Sequence, residues 1–352
     1  MSNGLLTEYS DLRALLEQRL QHAAIENPHV ETNPVRTVEQ WCAYVERFAH
    51  LMPWQAMDIG EDASFFRRID QNIGYFYFLL GDLQYEPRFA QWLKDYNTAW
   101  GEWLSSPDSW NDTYYRLALS DPRFELHTDR YESPDNWHSW NDFFARKLNK
   151  PLNFQREYFS QYSTLHSQPF QSPCDGEVAF APVKTASIAN WLDLLGDSPY
   201  RDVFAGGETT HIILDMFDYH RFHMPCDGTV LECKVIQGIH AGGGEIIWDE
   251  EQGRYRYEQC GVTDFQMLET RGVLILDTPC FGKIAIVPVG VQQVSSVQWT
   301  FINHKFEILN HRLTQGTELG MFLFGGSDVV LLFEEGKAPK VTKKTVKAGE
   351  KL

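Results

Sequence analysis

The sequence predicts an α+β fold: an N-terminal helical domain followed by a β-rich domain of antiparallel or mixed sheet. Two observations carry this reading. Up to about residue 150, apolar residues recur at steps of three and four, the period of a helix with one buried face. From about residue 170 they come instead in short β-branched runs bounded by Gly, Pro, Asp or Asn, the pattern of strands. The domain boundary is expected near residues 106–135, where Pro107, Pro122 and Pro134 punctuate polar sequence. The domains are therefore placed at residues 1–110 and 111–352.

In the helical part, "PRFAQWLKDYNTAWGEWL" puts Phe89, Trp92, Leu93, Tyr96, Trp100, Trp103 and Leu104 on one stripe. Pro87 stands near the first turn, where its missing N–H costs nothing. "TVEQWCAYVERFAHL" and "ASFFRRIDQNIGYFYFLLG" have the same spacing. Aromatic stripes could line a cavity, but core packing is the better reading, because aromatics dominate core burial. "SPDNWHSWNDFFARKL" predicts one further helix, with Asp135 as cap and Trp137, Trp140, Phe144 and Leu148 on one face. In the β-rich part, "THIILDMF", "GTVLECKVI", "GVLILDT", "GKIAIVPVGV" and "DVVLLFE" are the predicted strands.

Composition narrows the function classes. The chain has 352 residues, 43% of them hydrophobic and 14% aromatic, enough to bury a substantial core. A formal charge of −17 argues against nucleic acid as a partner. Six Lys between Lys337 and Lys351 run against that balance and read as a solvated tail rather than an anionic-lipid contact. The six cysteines form no CxxC pair and read as reduced, mostly buried thiols. Charges run through the N-terminus, and no apolar stretch approaches the roughly 18 residues of a membrane span. These features predict a cytoplasmic protein and leave room for peripheral contact with a membrane. They do not give the oligomeric state.

Several short motifs bear chemistry. "DYHRFHMPCDG" holds His220 and His223, two residues apart. Such a pair suits a metal or acid/base work, yet no further ligands stand at zinc-site spacing, so no metal is assigned. "HAGGGEII" and "FAGGETT" lack the ending of a phosphate-binding loop. "SPCDGEV" places Asp175 in a turn before a strand, and no Gly-x-Ser-x-Gly elbow occurs. "FLFGGSDVVLLFEEG" reads first as a hairpin turn at Gly325-Gly326-Ser327-Asp328 between two strands.

Taken in order, "SWNDFFARKL", "SPCDGEV", "DYHRFHMPCDG", "VPVGVQQVSSV" and "ELGMFLFGGSDVVLLFE" resemble the phosphatidylserine decarboxylase family. The resemblance covers roughly residues 135–336. The helical front is similar, more weakly, to the extra domain of a soluble branch that decarboxylates free amino acids such as tryptophan.

The resemblance implies a proenzyme that cuts itself between Gly326 and Ser327, with Ser327 becoming a covalent pyruvoyl cofactor. The residues make chemical sense of this. Ser327 Oγ attacks the Gly326 carbonyl carbon, and the acyl group moves from nitrogen to oxygen. β-Elimination frees the Gly326 carboxylate. The dehydroalanine left behind takes up water and loses ammonia. A tight, strained turn with two glycines would favour the approach of Oγ. By resemblance His223 is the base and Asp175 orients it, a serine–histidine–aspartate triad used for self-cleavage. His220 matches the histidine assigned to the decarboxylation step, as a proton donor that needs no large pKa shift. The pyruvoyl carbonyl would form a Schiff base with the substrate amine and act as an electron sink.

Where many members have Leu-Gly-Ser-Thr, this chain has Gly-Gly-Ser-Asp. Asp328 either brings charge to the pyruvoyl or only completes the turn. The implied reaction converts phosphatidylserine to phosphatidylethanolamine and CO2. A free, aromatic amino acid is the alternative substrate. From other classes, an inactive binding module and a metal-dependent hydrolase remain as weaker readings.

Overall fold

The computed structural model describes residue 6 and residues 9–51, 72–152, 169–182, 191–240, 242, 245–251, 253–258, 265–291, 296–301, 309–324, 326–341 and 343–352. Cys260, Gly325, the first half of the helix expected at 63–81 and most of the glycines at 241–244 lie outside these residues.

Two compact units are formed: residues 1–109 with 239–262, and residues 110–238 with 263–352. The first holds helices α1 (Ser10–Glu26), α2 (Val38–Phe48), α3 (Asn72–Leu80) and α4 (Pro87–Leu104). Thr37 and Gln40 make a reciprocal capping box at the start of α2. At α4, Pro87 takes the first turn and Glu86 caps it, accepting from Arg88 and Phe89 N–H. The expected stripe is buried from Phe89 to Trp100 and at Leu104, and Trp103 is half-buried at the end. These rings pack on one another, Phe48 on Phe76 at 4.9 Å and Trp92 on Tyr96 at 5.1 Å. Residues 239–262 bring an antiparallel hairpin into this unit, Glu245–Asp249 against Arg254–Glu258. Tyr257 anchors it, accepting from Asn27 Nδ2 at 2.8 Å and donating to Thr32 O at 3.0 Å.

The second unit starts with α5 (Asp112–Ser120) and α6 (Trp140–Phe144). The single helix expected across residues 133–148 is broken in two. Ser133 caps a short 3₁₀ turn at Pro134–Asn136, Trp137 is extended, and Ser139 caps α6 by accepting from Asp142 N–H at 3.1 Å. Two serine caps so close together each favour a helix start, so no continuous helix forms.

Counting the hairpin of the first unit as β5 and β6, the strands are β1 (Gly176–Pro182), β2 (Glu208–Leu214), β3 (Arg221–His223), β4 (Gly228–Ile236), β7 (Thr270–Thr278), β8 (Gly282–Val291), β9 (Gln298–Trp299), β10 (Arg312–Leu313), β11 (Glu318–Met321), β12 (Gly326–Phe333) and β13 (Thr345–Val346). Eight form one antiparallel sheet in the order β10-β4-β7-β8-β12-β2-β1-β13, and β3-β11-β9 form a smaller one. Central strands read as continuous apolar runs because successive residues, such as Val329 to Phe333, are buried on both faces. Val287, Val289, Val330 and Leu332 pack under Trp191, Leu194, Leu195 and Phe204. Full burial of each such aliphatic side chain contributes about 1.5–3 kcal/mol.

Five of the six C-terminal lysines are exposed, as a solvated run implies, yet the segment is tied down. β13 pairs with β1, and Ser172 N–H donates to Glu350 O at 2.7 Å and Leu352 N–H to Phe170 O at 3.1 Å. Gly326 and Ser327 also differ from expectation. They are the first residues of β12, laddered to Val291 and Gly290 of β8, and Ser327 to Leu214 of β2 as well. Ladder partners on both sides of Ser327 and Asp328 override their turn propensity.

Candidate active site

Ser327 lies near the start of β12 with 2% of its surface exposed. Its Oγ is 3.2 Å from His220 Nδ1. His220 stands just ahead of β3 and is fully buried. Its position is fixed from three directions. Phe322 N–H donates to its carbonyl at 2.9 Å, a link to the chain just beyond β11. The ring stacks on Phe144 of α6, with centroids 3.7 Å apart. Buried Arg146, just after α6, donates to Phe217 O at 2.7 Å and Asp218 O at 3.1 Å, and so holds the approach to His220. From the same helix, Asn141 Oδ1 accepts from Phe324 N–H at 3.1 Å, close to the Gly326–Ser327 bond.

Burial, with the Arg146 charge, pushes the His220 pKa down to about 3. The ring is therefore neutral at physiological pH, contrary to the unshifted proton donor expected from the sequence. A neutral imidazole beside a hydroxyl can accept its proton.

The structure gives His223 other partners. Its Nδ1 is 3.2 Å from Gly316 O and its Nε2 2.9 Å from Tyr219 OH. A carbonyl can only accept, so Nδ1 carries the proton and Nε2 receives the tyrosine hydroxyl. Both ring nitrogens are thus engaged away from Ser327 and Asp175. Burial lowers this pKa as well, to about 4.

Asp175 is fully buried ahead of β1. Gly176, at φ +140°, fixes it there: a Cβ at that residue would meet Ile213 O at 2.3 Å. Asp175 Oδ1 accepts from Arg130 Nη2 at 2.6 Å and Ala348 N–H at 2.8 Å, and Oδ2 lies 3.3 Å from Lys347 Nζ. Burial works to raise its pKa, but Arg130, Lys347 and the Ala348 N–H outweigh it and hold the carboxyl below its usual range. Its negative charge favours protonation of both His220 and His223. Glu125 joins the cluster through Arg130 at 2.5 Å and Lys347 at 3.2 Å. Asp218 lies 3.8 Å from Lys347, with its pKa raised to about 6 by burial, to which the Asp175 charge adds.

The geometry therefore brings Ser327 and His220 together and places Asp175 in an ion cluster, with His223 bracing Tyr219 and Gly316. Sequence reading missed Arg130, Lys347 and Arg146. Arg130 lies in unpatterned polar sequence and Lys347 in a lysine run. The Asn-Asp-Phe-Phe-Ala-Arg segment did carry a signal, since it was part of the family resemblance.

The sequence model of the phosphatidylserine decarboxylase family matches residues 140–352, from α6 through Ser327 to the C-terminus. The chain belongs to that family. Among curated family relatives, the phosphatidylserine decarboxylase proenzyme of Chlamydia pneumoniae is 29% identical over 209 residues, covering 55% of this chain and 59% of the relative. The proenzyme of Fusobacterium nucleatum is 26% identical over 250 residues, 68% of this chain and 73% of the relative. Decarboxylase iboD of Amanita muscaria is 26% identical over 288 residues, 72% of this chain and 79% of the relative. The chain thus spans under two thirds of the length of the Chlamydia pneumoniae relative. Among the described residues of this family member, no helix is long and apolar enough to cross a membrane.

Proposed function

We propose that the chain is a proenzyme that cuts itself between Gly326 and Ser327 and then decarboxylates phosphatidylserine to phosphatidylethanolamine. The observation that carries the proposal is the buried contact of 3.2 Å between Ser327 Oγ and His220 Nδ1. A serine hydroxyl needs a base before it can attack a peptide carbonyl, and a neutral, desolvated imidazole is in place. His220 takes the hydroxyl proton, and the Asp175 charge stabilises the resulting imidazolium. The proton returns to the Ser327 nitrogen when the Gly326–Ser327 C–N bond breaks. One turnover per molecule is enough, so a weak base suffices.

A pyruvoyl group at position 327 fits this setting. The residue is buried, is held by β2 and β8, and faces an uncharged ring that can hold or release a proton. The group supplies an electrophilic carbonyl that takes up electrons as the carboxylate leaves as CO2. The Phe144 stack fixes the His220 plane, and burial of both residues excludes water from competing for the proton. His223 of β3 and Tyr219, on either side of His220 in the chain, form a second proton-holding pair.

A free amino acid as substrate is the second reading. What supports it is the match over 72% of the chain to decarboxylase iboD, a relative whose name does not specify phosphatidylserine. Mass spectrometry tests the cut. Fragments 1–326 and 327–352, the second blocked at its N-terminus, are expected. A full-length protein that still decarboxylates sinks the pyruvoyl proposal. Product assays with phosphatidylserine vesicles and with a panel of free amino acids test the substrate. CO2 from an amino acid, with none from vesicles, overturns the lipid reading alone.

A further inference from the structure

The residue after Ser327 points the other way. Strand alternation puts Ser327, Val329 and Leu331 on one face of β12, and Asp328, Val330 and Leu332 on the other. That second face is an apolar layer containing Trp191, Val287, Val289, Val330 and Leu332. Asp328 enters it as a fully buried carboxylate in a strand, so it does not complete a turn. Its Oδ2 accepts from Gln266 Nε2 at 2.9 Å and lies 3.2 Å from His211 Nδ1. Its buried Oδ1 has no hydrogen-bond partner among the described residues. His211 is itself fixed, laddered to Val330 and packed on Trp191 at 5.6 Å.

A carboxylate in such a layer costs free energy that a valine of similar size would not. The alternation of β12 asks for an apolar residue at this position. What sets Asp328 apart from Val330 and Leu332 is its place in the chain. The proposed cut removes the covalent hold on the N-terminal side of residue 327. The group formed there is then attached through the Asp328 amide alone. Backbone ladders hold a strand end, but strand ends open more readily than strand centres. A side chain pinned on the opposite face resists rotation of the 327–328 peptide.

We propose that Asp328 is a positioning residue. The Gln266–Asp328–His211 cluster holds the 327–328 amide in one plane, so that the carbonyl formed at 327 keeps one orientation toward His220. This rests on the cut proposed above. The carboxylate stays across the sheet from the reacting face and acts through the backbone. The departure of this chain from Leu-Gly-Ser-Thr thus falls on the anchor of the new chain end.

The test compares cut wild-type protein with Asp328→Val, Asp328→Asn and Gln266→Met. Two readouts need no substrate: amide hydrogen exchange over residues 328–332, and the rate at which phenylhydrazine captures the carbonyl at 327. Asp328→Val suits the apolar layer and is expected to melt no lower than wild type. Exchange and capture should nevertheless each rise about tenfold or more, tenfold being the factor carried by losing even one of the two buried contacts with Gln266 and His211. Gln266→Met should shift both in the same direction. Asp328→Asn, which keeps an acceptor for Gln266, should stay within about threefold of wild type. Wild-type exchange and capture in Asp328→Val overturn the proposal. If Asp328→Val stays uncut, Gln266→Met decides, because it leaves residues 326–328 unchanged. Unaltered exchange and capture in that variant are then the overturning result. Failure of the underlying reading shows separately, as a wild-type protein without a blocked 327–352 fragment.

Discussion

His220 Nδ1 meets Ser327 Oγ at 3.2 Å across 107 residues of chain, and both side chains are buried. In the uncut chain this puts His220 within reach of the serine proton as an acceptor. His220→Ala is expected to slow self-cleavage by about 10²-fold or more, the usual weight of a general base. His223→Ala should slow it less, because that ring serves Tyr219 and Gly316. A time course on a denaturing gel after synthesis gives both rates. An uncut His223→Ala beside a fully cut His220→Ala would mean that the chain rearranges before the cut. It would also restore the two roles implied by the family resemblance.

The low pKa of His220 makes a second prediction. Burial holds it at about 3, so the ring remains a free base from about pH 5 to pH 8. The cutting rate should be nearly flat over that range, whereas an ordinary histidine would lose its base form below about 6.5. The same shift acts on stability with a definite sign. Both histidines stay neutral when folded and take up protons when unfolded, so they destabilise the fold progressively as pH falls below about 6.5. Cutting rates at pH 5.5 and 7.5 decide the first point. A tenfold fall at pH 5.5 in still-folded protein would reject His220 as the base.

The order of helices then strands was legible because each pattern is local. Phe89 to Leu104 repeats with the helical period. The apolar runs that form β4, ending at Ile236, and β7, ending at Thr278, stand between turn residues. What was not legible depends on contacts between distant segments. Which histidine reaches Ser327 is set by β3 pairing with β11, and no spacing within "DYHRFHMP" encodes it. Gly326 and Ser327 have turn chemistry, but β2 and β8 pair them into a strand. Lys347 looked like part of a solvated run until β13 laid it beside Asp175. The hairpin at 245–258 is not among the strands predicted above. Its place with the helices depends on Asn27 and Thr32, more than two hundred residues earlier in the chain.

Asp218 makes a third prediction. Burial, with the charge of Asp175, raises its folded-state pKa to about 6. An acid with a raised pKa binds its proton more tightly when folded. Its contribution to stability therefore falls as pH rises from about 4 to about 6. Asp218→Asn removes that penalty and keeps an acceptor for the Asp215 N–H, now 2.8 Å from Oδ2. Because the side chain is 20% exposed, the gain at pH 7 should be about 1–2 kcal/mol. Thermal melts should show the gain at pH 7 and little difference near pH 4. Equal stability at pH 7 would sink the argument.

The ion cluster at Asp175 makes the last. The carboxylate is fully buried, and Arg130 at 2.6 Å is its closest cation. Arg130→Ala leaves it with Lys347 and the Ala348 N–H, and should cost about 3 kcal/mol, as removal of one partner of a buried pair does. Lys347 is 37% exposed and more distant from Asp175, so Lys347→Met should cost only about 1 kcal/mol. The two cations share one carboxylate, so the double variant should lose more than the two single losses added together. The pH dependence has the opposite sign to that of Asp218. Asp175 has a depressed folded-state pKa, so its contribution is present above about pH 4 and disappears as pH falls through its folded value. The gap between Arg130→Ala and wild type should accordingly be wide at pH 7 and narrow at low pH. A variant that melts with wild type at pH 7 would show that Asp175 needs no cation. The C-terminal strand that delivers Lys347 would then have no electrostatic role at the site.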